Sequence, residues 1–249
     1  SVRSVQNVNK HSLPTVDKYK VKAEKCSHWN ASPKPTSSCH SANYSQNNKN
    51  ILKIDFGPVI IGDDLSIDTA SFLDSCRTII VMFDVLGSSV FSPVRSDIVG
   101  NIQKLNSKYL VDPIGYKTLQ LMVSSEINEK TTKKTGSATD ALLWLKRTLH
   151  FMVELIKELI QTRDELTVCV SRAYHASLSQ YHGIVVRGVF SLALRAVPYR
   201  EEFITALVTQ EFDTDTKEEA VKGEAQKLVD RLQKIIQIIE AFYHKNNLE

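Results

Sequence analysis

The stretch "SATDALLWLKRTLHFMVELIKELIQ", residues 137–161, constrains the fold more than any other segment. It is long, free of glycine and proline, and strongly apolar along one helical face. A helix of that kind is stable in water only when other elements cover its apolar face. The rest of the chain offers mainly helices for the purpose. Asp68 to Leu86 is apolar on one face and stops at Gly87, a helix terminator. Ser92-Pro93 reads as an N-cap with proline at the first helical position, opening a helix to about Tyr109. Further helical patterns run from Ile114 to Ile127, Glu165 to Tyr181, Gly183 to Ala196, Glu201 to Thr209 and Lys217 to His244. Strand-like runs such as "GPVIIG" are short and isolated. The pattern predicts an all-α domain of about eight helices, with no internal repeat.

Residues 1–50 are different. They are rich in Ser, Asn, Lys and Pro, lack periodicity and hold eight Lys+Arg against two Asp+Glu. They cannot bury enough apolar surface to offset chain entropy, so they read as a disordered basic linker, and the globular part begins at residue 51. The formal net charge of +3 therefore conceals a globular part that is slightly acidic, which argues against a nucleic-acid partner. Cys26, Cys39, Cys76 and Cys169 are scattered and form no CxxC pair, so neither a disulfide framework nor a metal site is expected. No run approaches the roughly 18 apolar residues of a membrane span, and no signal peptide opens the chain, so a cytoplasmic location is the default.

The helix opening at Ser92 carries an unusual feature. Val94, Ile98, Ile102 and Leu105 repeat at helical spacing as a buried stripe, and Asp97, Asn101 and Lys104 form a second stripe directly beside it. A solvated helix edge would account for that second stripe. So would a binding site, because a carboxylate accepts, an amide both donates and accepts, and an ammonium donates. That set suits a hydroxyl-dense ligand such as a sugar. Trp144, the only tryptophan beyond residue 50, could supply a stacking plane or simply fill the core. Phe83, Phe91, Phe151 and Phe190 lie on different helices, and composition does not separate a plain core from the wall of an apolar ligand cavity. No nucleophile motif, phosphate loop or paired acid is present, so the chain does not read as an enzyme and no cofactor is implied.

The segments "FSPVRSDIVGNIQKLNSKY", "ALLWLKRTLHF" and "YHGIVVRGVFSLALRAVPY", in that order, resemble the glycolipid transfer protein family from about Asp68 onward. "YHGIVVRGVFSLALRA" resembles in particular the C-terminal domain of the four-phosphate adaptor proteins. The resemblance implies a two-layer all-α sandwich over residues 51–249, enclosing a hydrophobic lipid pocket. It implies non-enzymatic binding and intermembrane transfer of a glycosphingolipid. Asp97, Asn101 and Lys104 would hydrogen-bond the sugar over Trp144, and Asp97 and His182 would hold the ceramide amide. Phe83, Phe91, Val94, Phe151 and Phe190 would line the pocket, with Arg147, Ile184, Tyr199 and Tyr243 at its margins. It further implies transient contact with membrane surfaces. In an adaptor protein there would also be an upstream phosphoinositide-binding domain and an association with the Golgi.

Three departures from the family pattern stand out. Ile184 stands where founding members carry a tryptophan that enters the membrane, and it lacks the amphipathic ring that favours the interface. Asp140 stands where an apolar pocket residue is usual, and Arg195 and Tyr199 occupy a surface expected to face the membrane. Two alternatives remain beside glycosphingolipid transfer. A ceramide-1-phosphate carrier would need more cations than Lys104 and Arg147, since His150 stands where another would help and Asn101 is retained. A glycolipid sensor or adaptor would bind lipid but act through a protein partner.

Overall fold

The structure, a computed structural model, describes residues 52–53, 56–87, 91–209 and 214–248. The linker expected over residues 1–50, with Cys26 and Cys39, lies outside the described residues. Eight α-helices follow in order: α1 Thr69–Val85, α2 Ser92–Val111, α3 Leu119–Asn128, α4 Ala138–Gln161, α5 Leu166–Ser177, α6 Ile184–Ala193, α7 Arg200–Leu207 and α8 Thr214–Lys245. They form the two-layer all-α sandwich that the sequence led us to expect. Among the described residues there is no strand, only isolated bridges such as Ile61 with Ile67, which is all that "GPVIIG" becomes.

Local chemistry sets most helix ends. Asp68 caps α1 by accepting the Ser71 N–H at 2.8 Å. The chain leaves the helix through Gly87 at φ +131°, a conformation that L side chains rarely adopt. Two boundaries differ from expectation by four residues or more. α3 begins at Leu119 and not at Ile114, because Asp112 accepts the Gly115 N–H at 2.9 Å to close a turn and the Thr118 hydroxyl caps the helix by accepting the Leu121 N–H. The helix expected from Glu165 to Tyr181 stops at Ser177, and a single 3₁₀ turn covers Ser179–Tyr181. The Ser177 and Ser179 hydroxyls donate back to the carbonyls of Ala173 and His175, and Gly183 follows before α6 opens.

The long apolar helix, α4, lies at the centre and packs against α2, α3, α5 and α8. Both of its ends are held by charged side chains. At its start, the buried Glu126 carboxylate accepts the N–H groups of Ala138 and Thr139 at 2.8 and 2.9 Å and the Thr139 hydroxyl at 2.6 Å, while pairing with Lys108 at 2.9 Å. Burial alone would raise the Glu126 pKa, but these donors outweigh it and hold the carboxyl below its ordinary range. At the other end, the Arg200 guanidinium from α7 donates to the carbonyls of Leu159, Thr162 and Asp164. An anion at the N-terminus and a cation at the C-terminus both match the helix dipole.

The core is closed around Phe72, Phe83, Phe91, Phe151, Phe203 and Tyr243. One helix stands apart from it. In α6, Ile184 is 88% and Val185 80% exposed, Val189 and Leu192 are also open, and only Ala193 is buried. Among the described residues, no helix is long and apolar enough to cross a membrane.

Candidate functional site

The polar stripe of α2 is a connected chain. Lys104 Nζ donates to Asn101 Oδ1 at 2.9 Å, and Asn101 Nδ2 donates to Asp97 Oδ2 at 3.1 Å. Asn101 is buried, 2% exposed, whereas Asp97 and Lys104 remain open to solvent on either side of it. A buried amide satisfied at both ends cannot turn, so it fixes the spacing between carboxylate and ammonium. Neighbouring groups displace water from Asp97, and that desolvation raises its pKa against the opposing pull of Lys104 and Asn101. Asp140, exposed at the start of α4, raises it further.

Trp144 and Arg147 reach the same region from α4, and His182 reaches it from the turn between α5 and α6. The Trp144 and His182 rings stack at 5.8 Å between centroids and 21° between planes. His182 lies within electrostatic reach of Asp97, and burial lowers its pKa, with Arg147 and Arg187 pushing the same way. Asp97, Asn101, Lys104, Trp144 and His182, which lie as much as 85 positions apart in the chain, therefore share one site. It offers an acceptor, an amide, an ammonium, a neutral imidazole and an aromatic plane.

The remaining expected residues fall in three places. Phe83 and Phe151 stack in the core at 6.1 Å, Phe91 is buried beside α2, and Val94 and Phe190 are half-buried. The apolar void found in the interior holds about 60 Å³ and is lined by Leu52, Met82, Ile156, Ile204, Leu207 and neighbours, none of the five expected wall residues. An engineered cavity of about 150 Å³ holds benzene, so a void of this size would take an alkyl chain only if the side chains around it parted. Tyr243 is fully buried, its hydroxyl donating to the Thr139 carbonyl at 2.8 Å, which places it behind the start of α4. Ile184, Arg195 and Tyr199 lie on the exposed side formed by α6 and the segment after it.

Three further residues at the site were not among those expected there. Tyr174 on α5 places its hydroxyl 2.9 Å from His182 Nδ1 and stacks its ring on Phe190 at 3.6 Å. Arg187 Nε donates to the carbonyls of Ser179 and His182 and so pins the turn. Tyr181 lies under the Arg147 guanidinium, whose carbon is 3.6 Å from the ring centroid and 4.8 Å from that of Trp144. The Arg147 Nε is buried without a hydrogen-bond acceptor. Apart from the Arg147–Trp144 pair within α4, each contact crosses a turn or joins two elements, which helical periodicity does not report. Among the described residues, no cluster of His, Cys, Asp and Glu fits a metal ion, and Cys76 and Cys169 are buried thiols.

Comparison with known proteins bears on the family and the fold. The family model described as Glycolipid transfer protein matches residues 67–209. Pleckstrin homology domain-containing family A member 8 of Danio rerio is 41% identical over 197 residues, 78% of this chain and 36% of that protein. The chain thus spans little more than a third of the length of that relative. Glycolipid transfer protein A of Xenopus laevis is 38% identical over 194 residues, 75% of this chain and 91% of that one. The solved structure described as "How FAPP2 Selects Simple Glycosphingolipids Using the GLTP-fold" superposes with a TM-score of 0.74 at 34% identity, covering 82% of this chain and 96% of its own.

Proposed function

Because the chain belongs to the glycolipid transfer protein family, we propose that it lifts a glycosphingolipid from one membrane and delivers it to another unchanged. Members of this family are lipid transfer proteins and not enzymes. The observation that supports the finer reading is the hydrogen-bonded chain of Lys104, Asn101 and Asp97 facing His182 on its Trp144 platform. Lys104 and Asn101 would bond the sugar hydroxyls, and Trp144 would stack on the apolar face of the ring. Asp97 would accept the ceramide N–H, and His182 would meet the ceramide carbonyl. The polar stripe borders the core because such a ligand joins a polar head directly to two apolar chains.

Magnitudes say where selectivity arises. Moving hydrocarbon out of water is worth about 0.8 kcal/mol per CH₂. The bilayer gives the chains nearly the same benefit, so the protein gains little from them. Hydrogen bonds to the head group, at about 0.5–1.5 kcal/mol each and roughly 1.5–3 with a charged partner, then decide which lipid leaves the membrane. The exposed apolar residues of α6 would dip into the bilayer surface while Phe83, Phe91, Val94, Phe151 and Phe190 part to admit the chains. A cytoplasmic site of action, and a phosphoinositide-binding domain upstream in the full-length protein, belong to the same proposal.

A second reading has one observation in its favour. Arg147 makes no hydrogen bond among the described residues and keeps a buried Nε unsatisfied, and an acidic head group such as that of ceramide-1-phosphate would answer it. Mass spectrometry of lipid copurified with the protein, checked on a lipid array, separates the two. Hexosylceramide is the expected ligand. Enrichment of ceramide-1-phosphate alone would transfer the proposal to the acidic lipid, and binding without any acceleration of vesicle-to-vesicle exchange would favour a sensor.

A further inference from the structure

We propose that Tyr174 is a positioning residue that fixes His182 as its Nε2–H tautomer, so that the imidazole offers a donor to the ligand amide carbonyl while Asp97 offers an acceptor to its N–H. The inference rests on the glycosphingolipid reading for its purpose, but its geometry stands in the lipid-free protein. Tyr174 is 2% exposed on α5, and its ring lies flat on Phe190 at 3.6 Å and 11°. His182 is tilted against Tyr174 at 5.6 Å on one flank and stacked with Trp144 at 5.8 Å. Each ring is thus packed against at least two others.

Burial keeps the Tyr174 phenol protonated and the His182 imidazole neutral. A neutral imidazole has one donor nitrogen and one acceptor nitrogen. Among the described residues, the hydroxyl of Tyr174 has a single hydrogen-bond partner, His182 Nδ1 at 2.9 Å. If Nδ1 carried the proton and donated to the phenol oxygen, the phenol hydrogen would be buried without an acceptor, an arrangement that folded proteins avoid. The phenol therefore donates, Nδ1 accepts, and the ring proton resides on Nε2.

The consequence is a polarity match. An ionised Asp97 can only accept and this His182 tautomer can only donate from Nε2, while an amide presents one N–H and one carbonyl. The opposite tautomer would set a nitrogen lone pair against the carbonyl oxygen. Tyr174 thus makes the pair selective for an amide without touching the lipid.

Long-range proton–nitrogen correlation of the histidine rings in lipid-free protein, assigned by the loss of signals in His182→Gln, reads the tautomer directly. The wild-type protein is expected to show Nε2–H alone at His182. Tyr174→Phe, which keeps the stack on Phe190, is expected to show a mixture of tautomers and to bind hexosylceramide about three- to tenfold more weakly. An Nδ1–H ring or a mixture in the wild type would overturn the proposal even if the variant failed to fold. An unchanged ring in a folded Tyr174→Phe protein would overturn it equally. An Nε2–H ring in a wild-type protein that does not bind hexosylceramide would support the positioning role and defeat the glycosphingolipid reading instead.

Discussion

Desolvation holds the Asp97 pKa above its ordinary value, so the folded chain carries this carboxylate at a disadvantage. The folded state binds that proton more readily than the unfolded state, and stability contributed by this residue falls as pH rises through the raised value. Asp97→Asn should therefore leave the melting midpoint at neutral pH unchanged or slightly higher, as measured by calorimetry, even though it removes a group proposed to hold the ligand. His182 has the opposite sign. Its lowered pKa means that its contribution is complete above the ordinary value of 6.5 and declines as pH falls below it towards the folded value. Melting in that acidic range should accordingly show a shallower pH dependence for His182→Gln than for the wild type, and identical slopes would contradict the burial assigned to this ring. Asp97, Asn101 and Lys104 were legible in sequence because one helix sets their spacing. Trp144 stood out as the lone tryptophan beyond residue 50, the role of His182 came only through the resemblance, and Tyr174 was not legible at all, since its partner lies eight positions on, beyond a helix end.

Glu126 and Arg200 act on a whole element, because each holds an end of α4 and α4 carries Trp144. Removing one partner of a buried ion pair leaves the other charge without compensation, at a cost of about 3–5 kcal/mol. Glu126→Ala should lower the melting midpoint by roughly ten degrees or more, a loss readable by calorimetry, and a loss below about 1 kcal/mol would mean that Lys108 and the two amides find water instead. The stabilising share of Glu126 is present above its ordinary pKa of 4.5 and fades as pH falls through the lower folded value. Helix α6 makes the contrasting case, since Ile184 contributes almost nothing to the core. Ile184→Trp should raise partition onto phospholipid vesicles and Ile184→Asp should reduce it, both at wild-type stability. Equal sedimentation of the two variants with vesicles would remove α6 from the docking surface. Apolar periodicity located all eight helices but not the start of α3 or the end of α5. Those limits are decided by side-chain bonds to backbone from Asp112, Thr118, Ser177 and Ser179.

At the scale of the molecule, the break in composition at residue 50 argues that the domain folds without the preceding segment. A protein lacking residues 1–50 should keep the melting midpoint and the lipid transfer of the full chain, and a large fall in either would show that the segment belongs to the fold. The truncation also removes Trp29 and leaves Trp144 as the only tryptophan. The two-layer arrangement was implied by the family resemblance, whereas the all-α class was legible because eight amphipathic helices and no paired strands leave few alternatives. The interior was not. Phenylalanines that line a lipid pocket and phenylalanines that fill a core have the same spacing, and the apolar void of about 60 Å³ is lined by other residues. On the proposed function, lipid uptake would part these packed side chains, with selectivity left to the polar groups at the rim. The central claim is that Asp97 selects the lipid, and the transfer of labelled hexosylceramide between vesicles by folded wild-type and Asp97→Asn proteins tests it most directly. The account predicts rapid transfer by the wild type and a rate about ten- to a hundredfold lower for the variant at an unchanged melting midpoint. Equal transfer rates by the two folded proteins would contradict it.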